Sequence, residues 1–148
     1  MLPKEFAFVG RSRNPAKDAF NCLLNYAYGV LYSEIERACI IAGIDPYIGF
    51  IHSDHYSKIS MVLDIIEGYR IFAEEAVYLF FKKRNISMDM FSEIPDGLYL
   101  NKLGKEKLLL HYNEFLDARI LHKGKRVSRR HSIQKDLHQL ANSWLKNT

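Results

Sequence analysis

Between Asn14 and Gly43 apolar residues recur at helical spacing. Phe20, Leu24, Ala27, Leu31, Ile35 and Ala38 fall on one stripe when the chain is wound at about 100° per residue. The pattern predicts a long helix with Asn14 as N-cap, Pro15 at its first position, Asp18 in its early turns and Gly43 as its stop. A second, more polar stripe of Asn21, Asn25, Tyr28 and Tyr32 runs beside the first. Pro46 and Gly49 punctuate the next connection, which delivers His52 to a second helix expected from about Lys58 to Lys83. That helix carries Val62, Leu63, Ile66, Tyr69, Ala73 and Val77 on one face and Met61, Ile65, Phe72 and Leu79 on the other. All-round hydrophobicity predicts a central, buried position.

Beyond it the chain is ambiguous as far as Phe91, and "SEIPDGLYLN" reads as a turn-rich connection. A helix from about Lys105 to Arg119 presents Leu108, Leu109, Tyr112, Phe115 and Leu116, and is followed by the basic loop "HKGKRVSRRH". Ser132 is the expected cap of a last helix that turns Ile133, Leu137, Leu140, Ala141 and Trp144 inward. The architecture expected is all-α: an extended lead-in over residues 1–13, then one helical domain over residues 14–146.

A length of 148 residues suits a single core, and 48% apolar content argues against disorder. No apolar run is long enough to cross a bilayer and no secretory leader opens the chain, so the expectation is a cytoplasmic protein without a membrane partner. Cys22 and Cys39 fall in the first helix, about 25 Å apart, too far to pair. A net charge of +4 permits a nucleic-acid partner without requiring one.

The candidate chemistry lies in "MVLDIIEGYR". Asp64 and Glu67 stand in an otherwise oily helix, where an ionised carboxylate is costly unless paired or bound to a cation. Two readings are open. A Glu67–Arg70–Glu74 ladder at helical spacing would neutralise the acids as a structural device. Alternatively, His52, at the end of the preceding loop, joins Asp64 and Glu67 in a site for a divalent ion. Imidazole with carboxylates suits Mg(II) or Mn(II) better than a thiolate-type zinc site.

"RSRNPAKDAFNCLLNYAYGVLYSEIERACIIAGIDPYIGFIH", followed by "MVLDIIEGYR", resembles the CRISPR-associated Cas-one family. An Asn-Tyr helix, a Gly-x-Asp-Pro turn, Gly-Phe-x-His and Asp-x-x-Glu with a following arginine occur in the family's order, and the later helices are similar as well. The resemblance implies the all-helical C-terminal catalytic domain of a metal-dependent DNA endonuclease and integrase that inserts new spacers. It also implies prespacer and repeat DNA and a Cas-two protein as partners, and a homodimer in the full-length enzyme. His52 matches the family's metal-ligand histidine and Glu67 its downstream acidic ligand, with Asp64 the adjacent acid. Arg70, Asn25 and Tyr32 match positions near the active site. Lys125, Arg126, Arg129 and Arg130, together with Lys123, Arg11 and Arg13, are candidate phosphate contacts.

The family's third ligand, a glutamate in a Glu-Gly motif, and its N-terminal β-rich domain have no counterpart in the sequence. The expectation is a C-terminal part of a longer protein, inactive alone. The competing readings are a helical protein-binding or dimerisation module, and a DNA-binding domain without catalysis.

Overall fold

The computed structural model describes residues 8, 10–13, 15–47 and 60–146. Among these are five α-helices and two β-hairpins. In chain order they are α1 (Ala19–Ala42), α2 (Ser60–Ile66), α3 (Arg70–Lys82), β1 (Phe91–Ile94), β2 (Gly97–Leu100), α4 (Lys102–Asp117), β3 (Arg119–His122), β4 (Lys125–Ser128) and α5 (Arg129–Lys146). The fold is therefore all-α with two short antiparallel strand pairs. The chain divides into two compact units, Met1–Val30 with Ile71–Glu114, and Leu31–Arg70 with Phe115–Thr148.

The apolar stripe of α1 is buried from Leu24 to Ala38 as its spacing predicts, with Ala27, Leu31 and Ile35 fully enclosed, while Phe20 at its start is half-buried. The helix starts later than expected. Asp18 is the N-cap: its Oδ1 accepts the Asn21 N–H at 2.8 Å and its carbonyl takes the Cys22 N–H at 3.0 Å. Asn14, the expected cap, lies outside the described residues. Just downstream, the Ala16 carbonyl accepts the Leu98 N–H at 2.8 Å, a bond to β2 that holds this stretch out of the helix. Gly43 ends α1 with φ +76°, and the bonds Gly43 N–H to Ile40 and Ile44 N–H to Cys39 close a Schellman motif. Both cysteines are free and buried in α1, and burial raises each thiol to about 11, which leaves them inert as nucleophiles.

In the first unit the β1–β2 hairpin runs in register from Phe91 opposite Leu100 to Ile94 opposite Gly97. A methyl group on Gly97 would stand 2.3 Å from the Ala16 carbonyl oxygen, so only glycine lets the two backbones meet. Asn101 caps α4, its Oδ1 accepting the Gly104 N–H at 3.0 Å. The start of α4 three residues before the expected position follows from that cap. Leu108, Tyr112, Phe115 and Leu116 are buried as expected, while Leu109 is exposed. His111 is buried against the Phe80 ring, and burial lowers its pKa; Nε2, 2.9 Å from the Ala76 carbonyl, carries the proton there.

In the second unit the segment expected as a basic loop is the β3–β4 hairpin, paired from Arg119–Ser128 to His122–Lys125. Its two-residue turn, Lys123 and Gly124, has φ of +48° and +78°, the left-handed pair a type I′ turn requires. The cap of α5 is Ser128, whose hydroxyl accepts the His131 N–H at 3.1 Å. Ser132, the expected cap, is one turn inside the helix and donates to the Arg129 carbonyl. Ile133 and Leu137 are buried, whereas Leu140, Ala141 and Trp144 are only half-buried. No helix among the described residues is long and apolar enough to cross a membrane.

Candidate functional site

The helix expected from Lys58 to Lys83 is two helices. Its first residues lie outside the described part; α2 ends at Ile66, Glu67 to Tyr69 form a turn, and α3 begins at Arg70. The turn is held by the Gly68 N–H to Ile65 carbonyl bond at 3.0 Å and the Tyr69 N–H to Ile66 carbonyl bond at 2.9 Å, each spanning three residues rather than four. Gly68 weakens the helix at this point by about 1 kcal/mol relative to alanine.

The break changes the environment of the acids. Met61, Val62 and Ile66 are buried, Asp64 is half-buried, and the Glu67 side chain is 60% exposed. The Arg70 guanidinium meets both Glu67 oxygens, at 3.1 and 3.3 Å. Arg70 thus sits beside Glu67, as their spacing suggests. Glu74, the other member of the expected ladder, accepts the Tyr28 hydroxyl at 2.7 Å.

His52 lies outside the described residues. The Met61 N–H, at the start of α2, donates to the Pro46 carbonyl at 3.1 Å.

The polar stripe of α1 grips the lead-in. Asn21 is wholly buried; its amide donates to the Gly10 carbonyl at 2.6 Å and to Asp18 at 2.7 Å, while its oxygen accepts from the Arg11 guanidinium at 2.8 Å and the Ser12 N–H at 3.0 Å. Asn25 accepts from Arg11 at 2.7 Å and donates to the Arg13 carbonyl, and the Arg11 guanidinium lies 5.6 Å from the Tyr28 ring centroid. Tyr32 is half-buried.

The hairpin sorts the basic run into two kinds of residue. Lys125 and Arg126 are exposed on β4 with no ion-pair partner among the described residues. Arg129 lies over the Phe115 ring at 3.8 Å and donates to the Phe115 carbonyl, while Arg130 pairs with Asp117 at 2.9 Å and with Glu34.

One cluster was not foreseen. Asp136 on α5 accepts the Tyr69 hydroxyl on Oδ2 at 2.9 Å, and His122 Nε2 and Lys123 Nζ on Oδ1 at 2.9 and 2.7 Å. Burial alone would raise the Asp136 pKa, but the donors Lys123, Tyr69 and His122 outweigh it and hold the carboxyl below its usual range. Burial and the bond to Asp136 both raise the Tyr69 phenol. The available sequence signal was an acid at three-residue spacing from Ile133 and beside Leu137, on the inward side of the last helix.

Two carboxylates are the hard oxygen donors that Mg(II) or Mn(II) prefers, and an imidazole adds a borderline nitrogen donor rather than a thiolate. Among the described residues no three His, Cys, Asp or Glu side chains gather as metal ligands. Asp64 and Glu67 are the described members of the expected set.

Residues 1–114 match the family model described as CRISPR associated protein Cas1. A curated relative, CRISPR-associated endonuclease Cas1 3 of Thermus thermophilus, is 37% identical over 133 residues, covering 88% of this chain and 40% of the relative. Among solved structures, a casposase bound to integration product aligns over 99% of this chain and 43% of its own, with a TM-score of 0.90 and 25% identity. A partial Cas6-RT-Cas1–Cas2 complex aligns over 99% and 45%, with a TM-score of 0.82 and 25% identity. The chain spans less than half the length of each of these proteins.

Proposed function

The chain belongs to the CRISPR-associated Cas1 family, and on that premise we propose that it forms the helical catalytic part of a DNA endonuclease and integrase that inserts new spacers into CRISPR arrays. The observation that carries this reading is the alignment of 99% of the chain, at a TM-score of 0.90, with a casposase bound to integration product. Prespacer and repeat DNA are the substrates, a Cas2 protein is a partner, the full-length enzyme is a homodimer, and the setting is the prokaryotic cytoplasm. The alignment with a Cas1–Cas2 complex supports the partner.

In this reading His52 and Glu67 would hold a divalent ion, Mg(II) or Mn(II), with Asp64 beside them. Such an ion, when bound, offsets charge on a phosphate oxygen and favours deprotonation of the attacking 3′-hydroxyl. Arg70 orients the Glu67 carboxylate. Lys125 and Arg126 meet the DNA backbone, and Arg129 and Arg130 support the hairpin that presents them. Asn25 holds Arg11 and the lead-in, and Tyr32 stacks on a base near the DNA end. With two family ligands in its sequence, the 148-residue chain binds metal weakly and does not integrate DNA alone.

The Glu67–Arg70 pair favours a second reading, a helical binding module whose acid is merely neutralised. Thermal melts with millimolar Mn(II) separate the two. The integrase reading predicts a rise in Tm that His52→Ala and Glu67→Ala each abolish; the module predicts no metal effect.

A further inference from the structure

The turn that carries Glu67 is not imposed by crowding at its glycine: a methyl group on Gly68 would meet only the Ile65 carbonyl oxygen, at 3.5 Å. What holds the turn lies on either side of it. Ile66 is buried before it, and after it the Tyr69 hydroxyl donates to Asp136 at 2.9 Å. The two oxygens of Asp136 have separate partners. Oδ1 takes His122 and Lys123 from the β3–β4 hairpin, and Lys123 is itself fastened to Gln139 on α5. Oδ2 takes the phenol. The carboxylate therefore ties the hairpin and α5 to the last residue of the turn, two positions after Glu67. A ligand carboxylate works only when the groups behind it hold it to within about 0.5 Å.

We propose that Asp136 is a positioning residue for Glu67, acting through the Tyr69 hydroxyl to fix the turn on which Glu67 sits. The proposal rests on the metal-site reading above for its consequence, and on the cluster geometry for its structure.

Tyr69→Phe, Asp136→Asn and the double variant of the 148-residue chain test it, with amide hydrogen exchange and Mn(II) titration as readouts. Each single change should speed exchange at Gly68 and Tyr69 about tenfold, as loss of a hydrogen bond to a charged group implies, while Leu137 is unaffected. Each should weaken Mn(II) binding several-fold, and the double variant should be no worse than either single one, because both break the same link. Additive effects in the double variant, or folded variants with unchanged exchange at residues 68 and 69, would overturn the proposal. So would faster exchange with unchanged metal affinity. If the wild-type chain takes up no Mn(II), the metal-site reading fails, and the exchange rates alone decide whether Asp136 fixes the turn.

Discussion

Among the described residues each unit holds a polar cluster centred on one side chain, Asn21 and Asp136, and the two are built on opposite plans. In the first, Asn21 is neutral and wholly buried, and most of its partners lie in the lead-in and at the start of α1. In the second, Asp136 is charged and about a quarter exposed, and it gathers three side-chain donors from the turn before α3 and from the β3–β4 hairpin. A buried amide with every group satisfied contributes stability and resists change. A part-exposed carboxylate contributes less to stability but sets the relative positions of the side chains it collects. The first cluster is a clasp, and the second bears on the chain's candidate chemistry.

The largest effect should come from breaking the clasp. Asn21→Ala leaves the Ser12 N–H and the Gly10 carbonyl without their Asn21 partner and removes one of the Arg11 guanidinium's acceptors, and should cost about 3 kcal/mol in urea unfolding. The Mn(II) response of the folded fraction should be unchanged. In the same unit, Gly97→Ala forces β2 away from the Ala16 carbonyl and should cost about 2 kcal/mol by the same assay.

For the carboxylate cluster the expected loss is smaller and depends on pH. Asp136→Asn should cost about 1.5 kcal/mol near pH 6. Because the folded-state pKa of Asp136 is depressed, its contribution is fully present above the unfolded value of about 4 and is lost as pH falls through the lower folded value. The gap in stability between wild type and variant should therefore narrow in melts below about pH 4. A gap independent of pH would show that the charge of Asp136 is not what holds the cluster.

Smallest of all in stability should be Lys125→Ala with Arg126→Ala, within about 0.5 kcal/mol of wild type. Their effect belongs to binding: DNA affinity should fall, and the slope of log affinity against log salt should shrink by about 1 for each cation removed.

The same contrast explains what could be read from the sequence. Helix α1 was legible because Leu24, Ala27, Leu31 and Ile35 repeat at a single period, and burial at those positions depends on that period alone. Its start was not, because the bond between Ala16 and Leu98 comes from a strand 82 positions away. The break after Ile66 was missed although Gly68 marks it: the apolar pattern continues across it, and the tether on Tyr69 comes from Asp136. Both hairpins have strands of four residues, too short for alternation to stand out from the Pro-Asp-Gly and Lys-Gly turn signals beside them. The pairing of Glu67 with Arg70 was visible at three-residue spacing. The Asp136 cluster draws on positions 69, 122, 123 and 136, which no local pattern unites.

The account depends most on an imidazole from position 52 meeting the same cation as the carboxylate of position 67. Pulsed electron paramagnetic resonance of Mn(II) bound to the chain reads that contact through the modulation a coordinated nitrogen imposes on the manganese signal. The account predicts nitrogen modulation in the wild-type chain, its loss in His52→Ala, and loss of the bound Mn(II) signal in Glu67→Ala. Bound Mn(II) without nitrogen modulation, or modulation that survives in His52→Ala, would contradict it.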